Sequence, residues 1–581
     1  IYVTKNIKEV NGRLQLIKTT PNQTKIFIDY AHTPNALETI LKTLKEHYKI
    51  KPDVVFGCGG DRDQKKRSKM ASVCENNAEK IYITDDNARN ENPKQIRRMI
   101  ISGFSKKLTF TEIPSRPVAI ETAIIKSKPN SVILIAGKGH ETTQTYGNKI
   151  INISDKEIVR LINNKKLRFD KKNYNKYINA KIIKKITKKN KLRFEGVSIN
   201  SKQTKKNNLF VAIKGKNYDG HSFVKEALKN KANYCVVQKN IKKIDKKKLI
   251  NYPNTINFLN KLAILKRSHS DSKVIAITGS SGKTTLKSML GKTLSAYGKT
   301  YFSQKSYNNH IGVPFSLCNL ENNHQYSVFE IGMSNAGEIR KLSKLVKPNI
   351  AIITNIGEAH LENFNNLNGI AKAKSEIIEN INKDGYLILN REDRYFNYLL
   401  KFARKRKIKV LSFGKSKKSN ARLIKKKLYK NYSYLHFRVL NKNIYLKVKN
   451  VNPLTILNIL FILLTLQALG LNIIKVKNCS NYFQLAEGRG KEHLISRYKK
   501  KFQLIDESYN ANPSSVKNAI NNFSNLKRKK GRKFLLLGDM LELGKKSDNY
   551  HKNLAYFINR SDIDKLFVYG KNAFKTYQKT Y

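Results

Sequence analysis

A glycine-rich stretch followed by a lysine and two threonines is the part of the sequence best suited to hold phosphate groups. Its residues are Gly279, Ser280, Ser281, Gly282, Lys283, Thr284 and Thr285. Glycines let the backbone wrap around an anion, and a helix that starts here presents free N–H groups to it. The lysine then reaches the β- and γ-phosphates, and the first threonine hydroxyl binds Mg²⁺. Ile277 replaces the first glycine of the standard pattern, so we predict a shorter loop that binds ATP and Mg²⁺.

Polar residues follow two apolar runs downstream of this loop. Glu330 follows the run 326–329, and Asn355 comes shortly after the run 350–353, with His360 five residues later. Ligands of α/β sheets bind at the carboxyl ends of strands. A carboxylate there can hold Mg²⁺, and a histidine can hold a second ion. We therefore predict that Thr284, Glu330 and His360 contribute to a metal site.

An α/β framework must position these residues, because short apolar runs alternate with helical patterns almost throughout the chain. The clearest predicted strands are residues 25–29, 53–57, 132–136, 274–278, 350–354 and 534–538. Residues 423–449 alternate apolar and polar side chains, which indicates a small antiparallel excursion. The fold class is therefore α/β with mostly parallel sheets.

The apolar segment 454–471 approaches the length of a membrane span, which needs about 20 residues. Asn458, Thr465 and Gln467 interrupt it, and Gly470 with Asn472 is a helix-stop signal. These features favour a buried core helix, so we expect no membrane insertion.

Length, charge and cysteine content limit the number of domains, the kind of partner and the cellular compartment. A length of 581 residues suggests about three to five domains. The formal charge of +72 invites a nucleic-acid interpretation. However, the lysines are spread along the chain and accompany many Asn and Ile residues, as a coding bias on solvated surfaces produces. Five cysteines without metal-binding spacing suit a reducing cytosol. We expect a cytoplasmic protein that binds no nucleic acid.

Three landmarks occur twice along the chain. Near the start they are Gly12-Arg13, residues 29–34 and Gly60-Asp61, and near the end they are Gly488-Arg489, residues 506–513 and Gly538-Asp539. The step from Asp29 to Asp61 equals the step from Glu507 to Asp539, namely 32 residues. The sequence therefore predicts two copies of one domain type.

An ATP loop precedes the second copy alone in this sequence. Gly279 lies 210 residues before Arg489, whereas 12 residues precede Arg13. The chain also begins with Ile1 rather than Met. We therefore expect that the first copy has lost its front end and cannot ligate anything alone.

Together these residues resemble the Mur ligases, the cytoplasmic enzymes that add amino acids to UDP-N-acetylmuramic acid. Residues 195–581 are similar to members that add D-alanyl-D-alanine to UDP-N-acetylmuramoyl-tripeptide. The stretches that carry this similarity are 309–314, 337–339, 506–513 and 537–544. The resemblance implies that the tripeptide carboxylate attacks the γ-phosphate of ATP, and that the D-alanyl-D-alanine amine then attacks the acyl phosphate. It also implies that further residues follow Tyr581.

The first block, residues 12–161, is similar to the C-terminal domain of the members that add the third amino acid. The matching stretches are 29–34, 56–63, 86–89 and 137–141. The resemblance implies that diaminopimelate is read by Asp86, Asn87, Arg89, Gly137 and Glu141. Arginine can clamp a carboxylate and glutamate can meet an ammonium, which favours diaminopimelate over lysine. Ala88 replaces the proline that the family has within this motif. The two blocks together then resemble a bifunctional fusion.

The resemblance assigns further roles in the second ligase. Lys374 matches a lysine that becomes carbamylated and thereby holds the second Mg²⁺ beside His360. Nucleotide contacts are implied for Asn355, Asn390, Asp393, Arg489, Asp506 and Glu507. Because Glu507 replaces the usual aspartate, either it or Asp506 can take the ribose contact. Substrate contacts are implied for Ser201, Lys202, Gly220, His221, Asn309 and Asn510. The family has D-S-R where this chain has Asn200, Ser201 and Lys202, and His where it has Leu454.

The resemblance implies a multidomain architecture. We expect a C-terminal ligase domain at 1–162, a basic linker at 163–191 and a small α/β UDP-sugar domain at 192–270. A central P-loop domain at 271–486 and an incomplete, Rossmann-like C-terminal ligase domain at 487–581 follow. Neither the oligomeric state nor transfer of intermediates between the two halves follows from the sequence.

Two alternatives remain open. A folylpolyglutamate-type synthase shares the phosphate loop and the lysine, but residues 219–221 and 509–513 argue against it. A basic nucleic-acid-binding protein fits the charge but leaves Glu330, His360 and Lys374 unexplained. Salt-sensitive oligonucleotide binding without ATP hydrolysis would favour that second class.

Overall fold

A computed structural model gives the fold of the chain in two compact units, Ile1–Thr255 and Ile256–Tyr581. The residues that it describes are 10–105, 110–147, 149–152, 154–163, 168–169, 179–180, 182–187, 192–215, 217–303, 305–359, 361–364, 366–429, 432–449, 451–483, 488–497, 500–526 and 531–580. The predicted linker at 163–191 lies largely outside these ranges, and so does His360. None of the helices in the described ranges combines the length and apolar character that a bilayer crossing requires.

The first block of unit one is a six-stranded sheet with helices around it. The strand order is β1-β2-β6-β3-β4-β5, and only β1 runs antiparallel to its neighbour. The strands of this sheet are β1 Gln15–Thr19, β2 Lys25–Ile28, β3 Asp53–Phe56, β4 Ile81–Ile83, β5 Phe110–Glu112 and β6 Val132–Ile135. Two hairpins follow: β7 Thr143–Tyr146 pairs with β8 Lys149–Asn152, and β9 Ile162–Asn163 pairs with β10 Arg168–Phe169. The helices are α1 Pro34–Tyr48, α2 Lys65–Asn77, α3 Pro93–Ile101, α4 Arg116–Ile125 and α5 Asp155–Leu161.

The rest of unit one contains a smaller sheet of four parallel strands. Its order is β11-β12-β13-β14, with β11 Val197–Ser198, β12 Leu209–Val211, β13 Tyr234–Val237 and β14 Leu249–Asn251. Helix α6 (Val224–Lys229) packs on it, and Phe210, Val224 and Cys235 belong to the core between them. This is the small α/β fold that the sequence predicts for the segment.

Unit two is built around a nine-stranded sheet with helices on both sides. Its order is β16-β17-β15-β18-β19-β20-β21-β22-β23, parallel up to β21 and antiparallel after it. The strands are β15 Lys273–Thr278, β16 Thr300–Phe302, β17 Tyr326–Glu330, β18 Ile350–Ile353, β19 Tyr386–Asn390, β20 Lys409–Phe413, β21 Ala421–Leu428, β22 Ser433–Val439 and β23 Lys442–Val448. The helices are α7 Thr255–Ser268, α8 Lys283–Ser295, α9 Gly312–Cys318, α10 Glu338–Val346, α11 Leu367–Ser375, α12 Phe396–Lys405 and α13 Pro453–Ala468. The predicted antiparallel excursion is confirmed.

Helix α13 is the predicted core helix, and its interior is buried against the large sheet. Ile462, Leu463 and Leu464 have no exposed surface and belong to the main hydrophobic core of unit two. Asn452 begins the helix by accepting a hydrogen bond from the Thr455 amide, and Thr465 donates its hydroxyl to the Phe461 carbonyl. Thr465, one of the polar residues that interrupt the apolar run, thus has a hydrogen-bond partner within the helix.

The last part of unit two repeats elements of the first block. Strands β24 (Lys491–Arg497) and β25 (Lys500–Asp506) form an antiparallel hairpin like β1 and β2, and β26 (Phe534–Gly538) pairs with β27 (Lys565–Tyr569) in parallel, like β3 and β4. The helices are α14 Pro513–Ser524, α15 Ser547–Asn559 and α16 Lys571–Tyr577. In the first block, β2 and β3 correspond to β25 and β26, and the central strand β6 lies between them in the sheet.

Candidate active site

The predicted phosphate loop connects the buried strand β15 to the first turn of α8. Its two glycines have positive φ angles, 147° at Gly279 and 79° at Gly282, which residues with side chains rarely adopt. A Cβ atom at Gly279 would lie 1.8 Å from Thr354 Oγ1. Because α8 begins at Lys283, the free N–H groups of its first turn follow directly on the loop. The backbone is therefore shaped to surround an anion.

Asn355 fixes the shape of this loop. Its side-chain oxygen accepts a hydrogen bond from Ser281 N at 2.9 Å, and its side-chain nitrogen donates to Ser281 Oγ at 2.8 Å. Its carbonyl accepts from Ser280 N at 3.0 Å. The sequence predicts Asn355 as a nucleotide contact, and the structure places its polar atoms on the loop that would hold the nucleotide.

Lys283 lies inside the curve of the loop, where its Nζ donates to the Gly279 carbonyl at 2.7 Å. Burial lowers the pKa of Lys283, the charge of Glu330 opposes that effect, and the charge of Arg489 adds to it. A positive charge is therefore costly here unless an anion joins it. A triphosphate would supply that anion.

Glu330 is the buried carboxylate of the site, with 2% of its surface exposed. The Thr284 hydroxyl lies 3.0 and 2.9 Å from its two oxygens, and Asn308 Nδ2 donates to Oε1 at 2.9 Å. The ammonium of Lys287, itself 1% exposed, lies 3.5 Å from Oε2. Burial lowers the pKa of Lys287 and the charge of Glu330 raises it. Each polar atom of this buried pair thus has a partner, as burial of charge requires.

The oxygens of Thr284 and Glu330 suit Mg²⁺, which prefers hydroxyl and carboxylate ligands. Within the described ranges, no group of three or more His, Cys, Asp or Glu side chains could hold a metal ion. An ion between Thr284 and Glu330 would therefore take its other ligands from phosphate and water, as Mg²⁺ usually does.

Lys374, in α11, is 2% exposed. Burial lowers its pKa far below the usual range, and the charge of Lys283 lowers it further. Lys374 is therefore close enough to Lys283 for the two charges to interact. Burial and the charge of Lys283 both favour the uncharged amine, which is the form that reacts with carbon dioxide. The third predicted metal-site residue, His360, lies outside the described residues.

Two side chains from the last part of the chain reach the phosphate loop. Arg489 donates from Nη2 to Thr284 Oγ1 at 3.1 Å, and its guanidinium lies 4.0 Å above the ring of Tyr509. The Tyr509 hydroxyl donates to Ser306 Oγ at 3.1 Å. The predicted nucleotide residue Arg489 is therefore at the site, and Tyr509 holds it there by stacking.

Asp506 and Glu507 differ in their surroundings. Asp506 accepts hydrogen bonds from Ser508 N at 3.0 Å, Ser508 Oγ at 2.6 Å and Gly488 N at 3.1 Å, and these bonds lower its pKa. Asp29 has the same role in the first block, where it accepts from Ala31 N and Leu14 N. Asp506 is thus the turn-forming aspartate of the repeat. Glu507 is exposed.

Asn390 and Asp393 support the loops around the site. Asp393 accepts from Ile356 N at 2.8 Å and from Tyr395 N at 2.9 Å, and Asn390 accepts from Glu392 N at 3.0 Å. Asp393 thereby fixes the residue that follows Asn355. Asn510, also predicted at the site, is exposed and caps the Ala511 amide.

The predicted sugar-nucleotide residues of unit one are partly engaged with other protein groups. Ser201 Oγ donates to Glu226 Oε2 at 2.6 Å. His221, which is 6% exposed, contacts Asp219 through Nδ1 at 2.5 Å and accepts from Gln238 N at 2.9 Å through Nε2. A Cβ atom at Gly220 would lie 2.6 Å from Ile213 N. Lys202 is exposed.

The predicted diaminopimelate residues of the first block lie together. Asn87 Nδ2 donates to Glu141 Oε2 at 2.8 Å, and Asp86 Oδ1 accepts from Asn87 N at 2.6 Å. A Cβ atom at Gly137 would lie 2.7 Å from Asp86 Oδ2. Arg89 has a positive φ of 48° and donates from Nη1 to the Gly60 carbonyl at 2.6 Å. Asp86, Asn87, Gly137 and Glu141 therefore form one cluster, whereas the Arg89 guanidinium contacts the Gly59–Gly60 loop.

Sequence reasoning missed two residues of the site. The substrate prediction names Asn309, but Asn309 Oδ1 accepts from Gly312 N at 2.8 Å at the start of α9, and its neighbour Asn308 contacts Glu330. Lys287 was also missed. Its position one helical turn after Lys283 places both lysines on one face of α8, which is the signal that could have found it.

The fold and the site together define a nucleotide-binding α/β protein whose phosphate loop meets an arginine from a following domain. Three family models match the chain. The Mur ligase middle domain matches residues 277–465, the Mur ligase, glutamate ligase domain matches 12–139 and 493–579, and the Mur ligase family, catalytic domain matches 193–267. The double match confirms the predicted repeat.

Individual relatives agree with these models. The UDP-N-acetylmuramoyl-tripeptide–D-alanyl-D-alanine ligase of Rickettsia prowazekii is 35% identical over 383 residues, which cover 66% of this chain and 84% of the relative. The chain therefore belongs to the Mur ligase family. The UDP-N-acetylmuramoyl-L-alanyl-D-glutamate–2,6-diaminopimelate ligase of Haemophilus influenzae is 47% identical over 158 residues, which cover 27% of this chain and 32% of that relative.

Solved structures show the same fold. MurF from Acinetobacter baumannii has a TM-score of 0.61 and 28% identity, covering 69% of this chain and 87% of that one. The MurF ligase from Thermotoga maritima in complex with ADP has a TM-score of 0.55 and 27% identity, covering 66% and 86%. The predicted fold class, an α/β multidomain Mur ligase architecture, is confirmed.

The Lys287–Glu330 pair leads to a first prediction. Lys287→Met removes the cation that holds Glu330, the predicted Mg²⁺ ligand, in place, so half-maximal activity should need about 10- to 100-fold more Mg²⁺. Mg²⁺ titrations of ATP turnover measure this change. Lys292→Met, at an exposed position of the same helix, is the control and should leave the requirement unchanged. An unaltered Mg²⁺ requirement in Lys287→Met would contradict the assignment.

Proposed function

We propose that this chain is an ATP-dependent ligase that joins D-alanyl-D-alanine to UDP-N-acetylmuramoyl-tripeptide. The observation that carries the proposal is the convergence of Lys283, Thr284, Glu330 and Arg489 on one phosphate loop. Two relatives that match 66% and 65% of this chain have this activity in their names. Five free, buried cysteines agree with a cytoplasmic setting.

The reaction begins when the tripeptide carboxylate attacks the γ-phosphorus of ATP, which forms an acyl phosphate and releases ADP. The amine of D-alanyl-D-alanine then attacks the acyl carbon, the C–O bond to phosphate breaks, and the amine loses a proton. Carboxylate and triphosphate repel each other, so cationic groups must offset this repulsion. Lys283 and Arg489 lie where they can do so.

Thr284 and Glu330 would hold Mg²⁺, which when bound neutralises phosphate charge. Lys374 would hold a second ion after its neutral amine has added to carbon dioxide and lost a proton, because a carbamate is an anion with oxygen ligands. The lowered pKa of Lys374 supports this step, since a protonated amine cannot add to carbon dioxide.

The first block supports a second binding function. We propose that Asp86, Asn87, Arg89, Gly137 and Glu141 form a site for meso-diaminopimelate, inherited from the ligase that adds the third amino acid. A bifunctional fusion of consecutive ligases is the arrangement that this proposal implies. The domains are then 1–162, 192–270, 271–486 and 487–581, with a linker at 163–191.

Loss of the Lys283 ammonium tests the main proposal. Lys283→Ala should lower phosphate release by at least about 100-fold, because a positioned charge on the transferring phosphate is lost. The assay follows phosphate in the presence of ATP, UDP-N-acetylmuramoyl-tripeptide and D-alanyl-D-alanine. Lys292→Ala is the matched control on α8. Phosphate release that needs neither acceptor, or that survives in Lys283→Ala, would defeat the proposal.

The carbamate is tested by carbon-13 labelling. Protein equilibrated with ¹³C-bicarbonate should give a carbamate resonance that disappears in Lys374→Ala, together with most of the activity. Lys372→Ala changes an exposed lysine of the same helix and should keep both. A spectrum without the resonance, from active wild-type protein, would exclude this modification.

The diaminopimelate site is tested by calorimetry on the full chain. Glu141→Gln should weaken binding of meso-diaminopimelate by about 10- to 100-fold, as loss of a charged hydrogen bond does. Glu46→Gln, an exposed position on α1, serves as the control. L-lysine, which lacks the distal carboxylate, should bind more weakly than meso-diaminopimelate. Equal affinity for the two amino acids would contradict the role of Arg89.

A further inference from the structure

The stretch 537–544 helped to reveal the family resemblance, yet the proposed chemistry gives it no role. Its residues lie at the end of β26 and in the turn that follows. Glu542 has a positive φ of 62°, and its carbonyl accepts a hydrogen bond from Glu362 N at 3.3 Å. Gly544 has a φ of 59°, and a Cβ atom there would lie 3.2 Å from Glu362 Cα. The turn is therefore in direct contact with the segment after β18.

That segment, residues 354–359 and 361–364, is the linking loop. Its Leu361 side chain packs into the core of the last domain, beside Leu537, Met540 and Leu543. Its Glu358 carboxylate accepts a hydrogen bond from the Tyr550 hydroxyl at 3.3 Å. One end of the linking loop is thus fastened to the last domain by apolar, backbone and side-chain contacts.

The other end of the linking loop is fastened to the phosphate loop. Besides the bonds of Asn355, the Ser280 hydroxyl donates to the Gly357 carbonyl at 2.8 Å, and Gly357 N donates back to Ser280 Oγ at 2.9 Å. A Cβ atom at Gly357 would lie 3.7 Å from Ser280 Cβ and 4.0 Å from Ser514 Cβ at the start of α14. Gly357 therefore lies between the phosphate loop and the last domain.

We propose that Leu361 and Gly544 are positioning residues that couple occupancy of the phosphate loop to docking of the last domain. The phosphate loop contacts residues 355–357 of the linking loop, and the turn 539–544 contacts Glu362 a few residues later. A shift of the linking loop at one end would therefore change the contacts at the other. Docking brings Arg489 to Thr284 and excludes water from the acyl phosphate. The inference rests on the proposed function in one respect, namely that the phosphate loop binds ATP.

Hydrogen–deuterium exchange of the full chain, with and without Mg²⁺ and ADP, tests the coupling. In wild-type protein, nucleotide should slow exchange by about fivefold or more both at 279–285 and at 539–546. In Gly544→Ala, whose methyl group meets Glu362, nucleotide should still protect 279–285 but no longer 539–546. Protection in neither segment of the wild-type protein would count against nucleotide binding itself, whereas protection of the phosphate loop alone would overturn the coupling.

Turnover gives an independent readout. In Gly544→Ala the undocked domain should expose the acyl phosphate to water, so phosphate released per peptide product should rise from about one to about two or more. Gly470→Ala is the control, because its φ of 69° imposes similar strain in open space, and its ratio should stay near one. If Gly544→Ala does not fold, the same ratio is measured for Leu361→Ala, and the same increase is expected. Equal ratios in variant and control would refute the proposal.

Discussion

The site depends on an excess of positive charge around one buried carboxylate. The charge of Arg489 acts on both Lys283 and Lys287, and the charge of Glu330 opposes it at each lysine. Burial removes the water that would otherwise screen these charges. The site is therefore stabilised when a polyanion binds in it, and a nucleoside triphosphate with its metal ion is such a polyanion. Binding and charge compensation are the same event here.

The parallel sheet makes this concentration of charge possible. Thr278 pairs with Ile353, and Ile277 pairs with Glu330. The carboxyl ends of these strands therefore lie side by side at one edge of the sheet. This edge brings together the phosphate loop, Glu330 and the start of the linking loop. The central strands β15, β17 and β18 are buried, apart from the first residues of β15 and β17, and this burial restricts their register. A one-residue slip would turn Glu330 toward the opposite face, and the pair with Thr284 would be lost.

The phosphate loop could be predicted from the sequence, but the residues that contact it from elsewhere in the chain were harder to predict. The phosphate loop was predictable because glycines and a lysine stand between an apolar strand and a helix, and Glu330 because it ends an apolar run. Asn308 was missed because its role comes from a contact with Glu330, across a separation in sequence that no periodicity encodes. Helical spacing places Lys287 on the same face of α8 as Lys283, but its pairing with Glu330 is visible only in the structure. Asn309 and Asn308 are adjacent, and only the helix start at α9 decides which of them caps and which faces the site. Asp506 and Glu507 pose the same problem, which the hydrogen bonds to Ser508 and Gly488 resolve.

The two copies of the ligase domain show which part of the site is built in advance. In the first block Arg13 lies 4.7 Å above the ring of Tyr30, and in the second Arg489 lies 4.0 Å above Tyr509. The first pair stacks in a block that has no phosphate loop among its described residues, so the stack forms from contacts within the domain. An arginine held by an aromatic ring loses less conformational freedom on reaching an anion than a free one. Docking of the last domain therefore has to move a preformed arginine into place rather than order it, which leaves the linking loop to govern when that movement occurs.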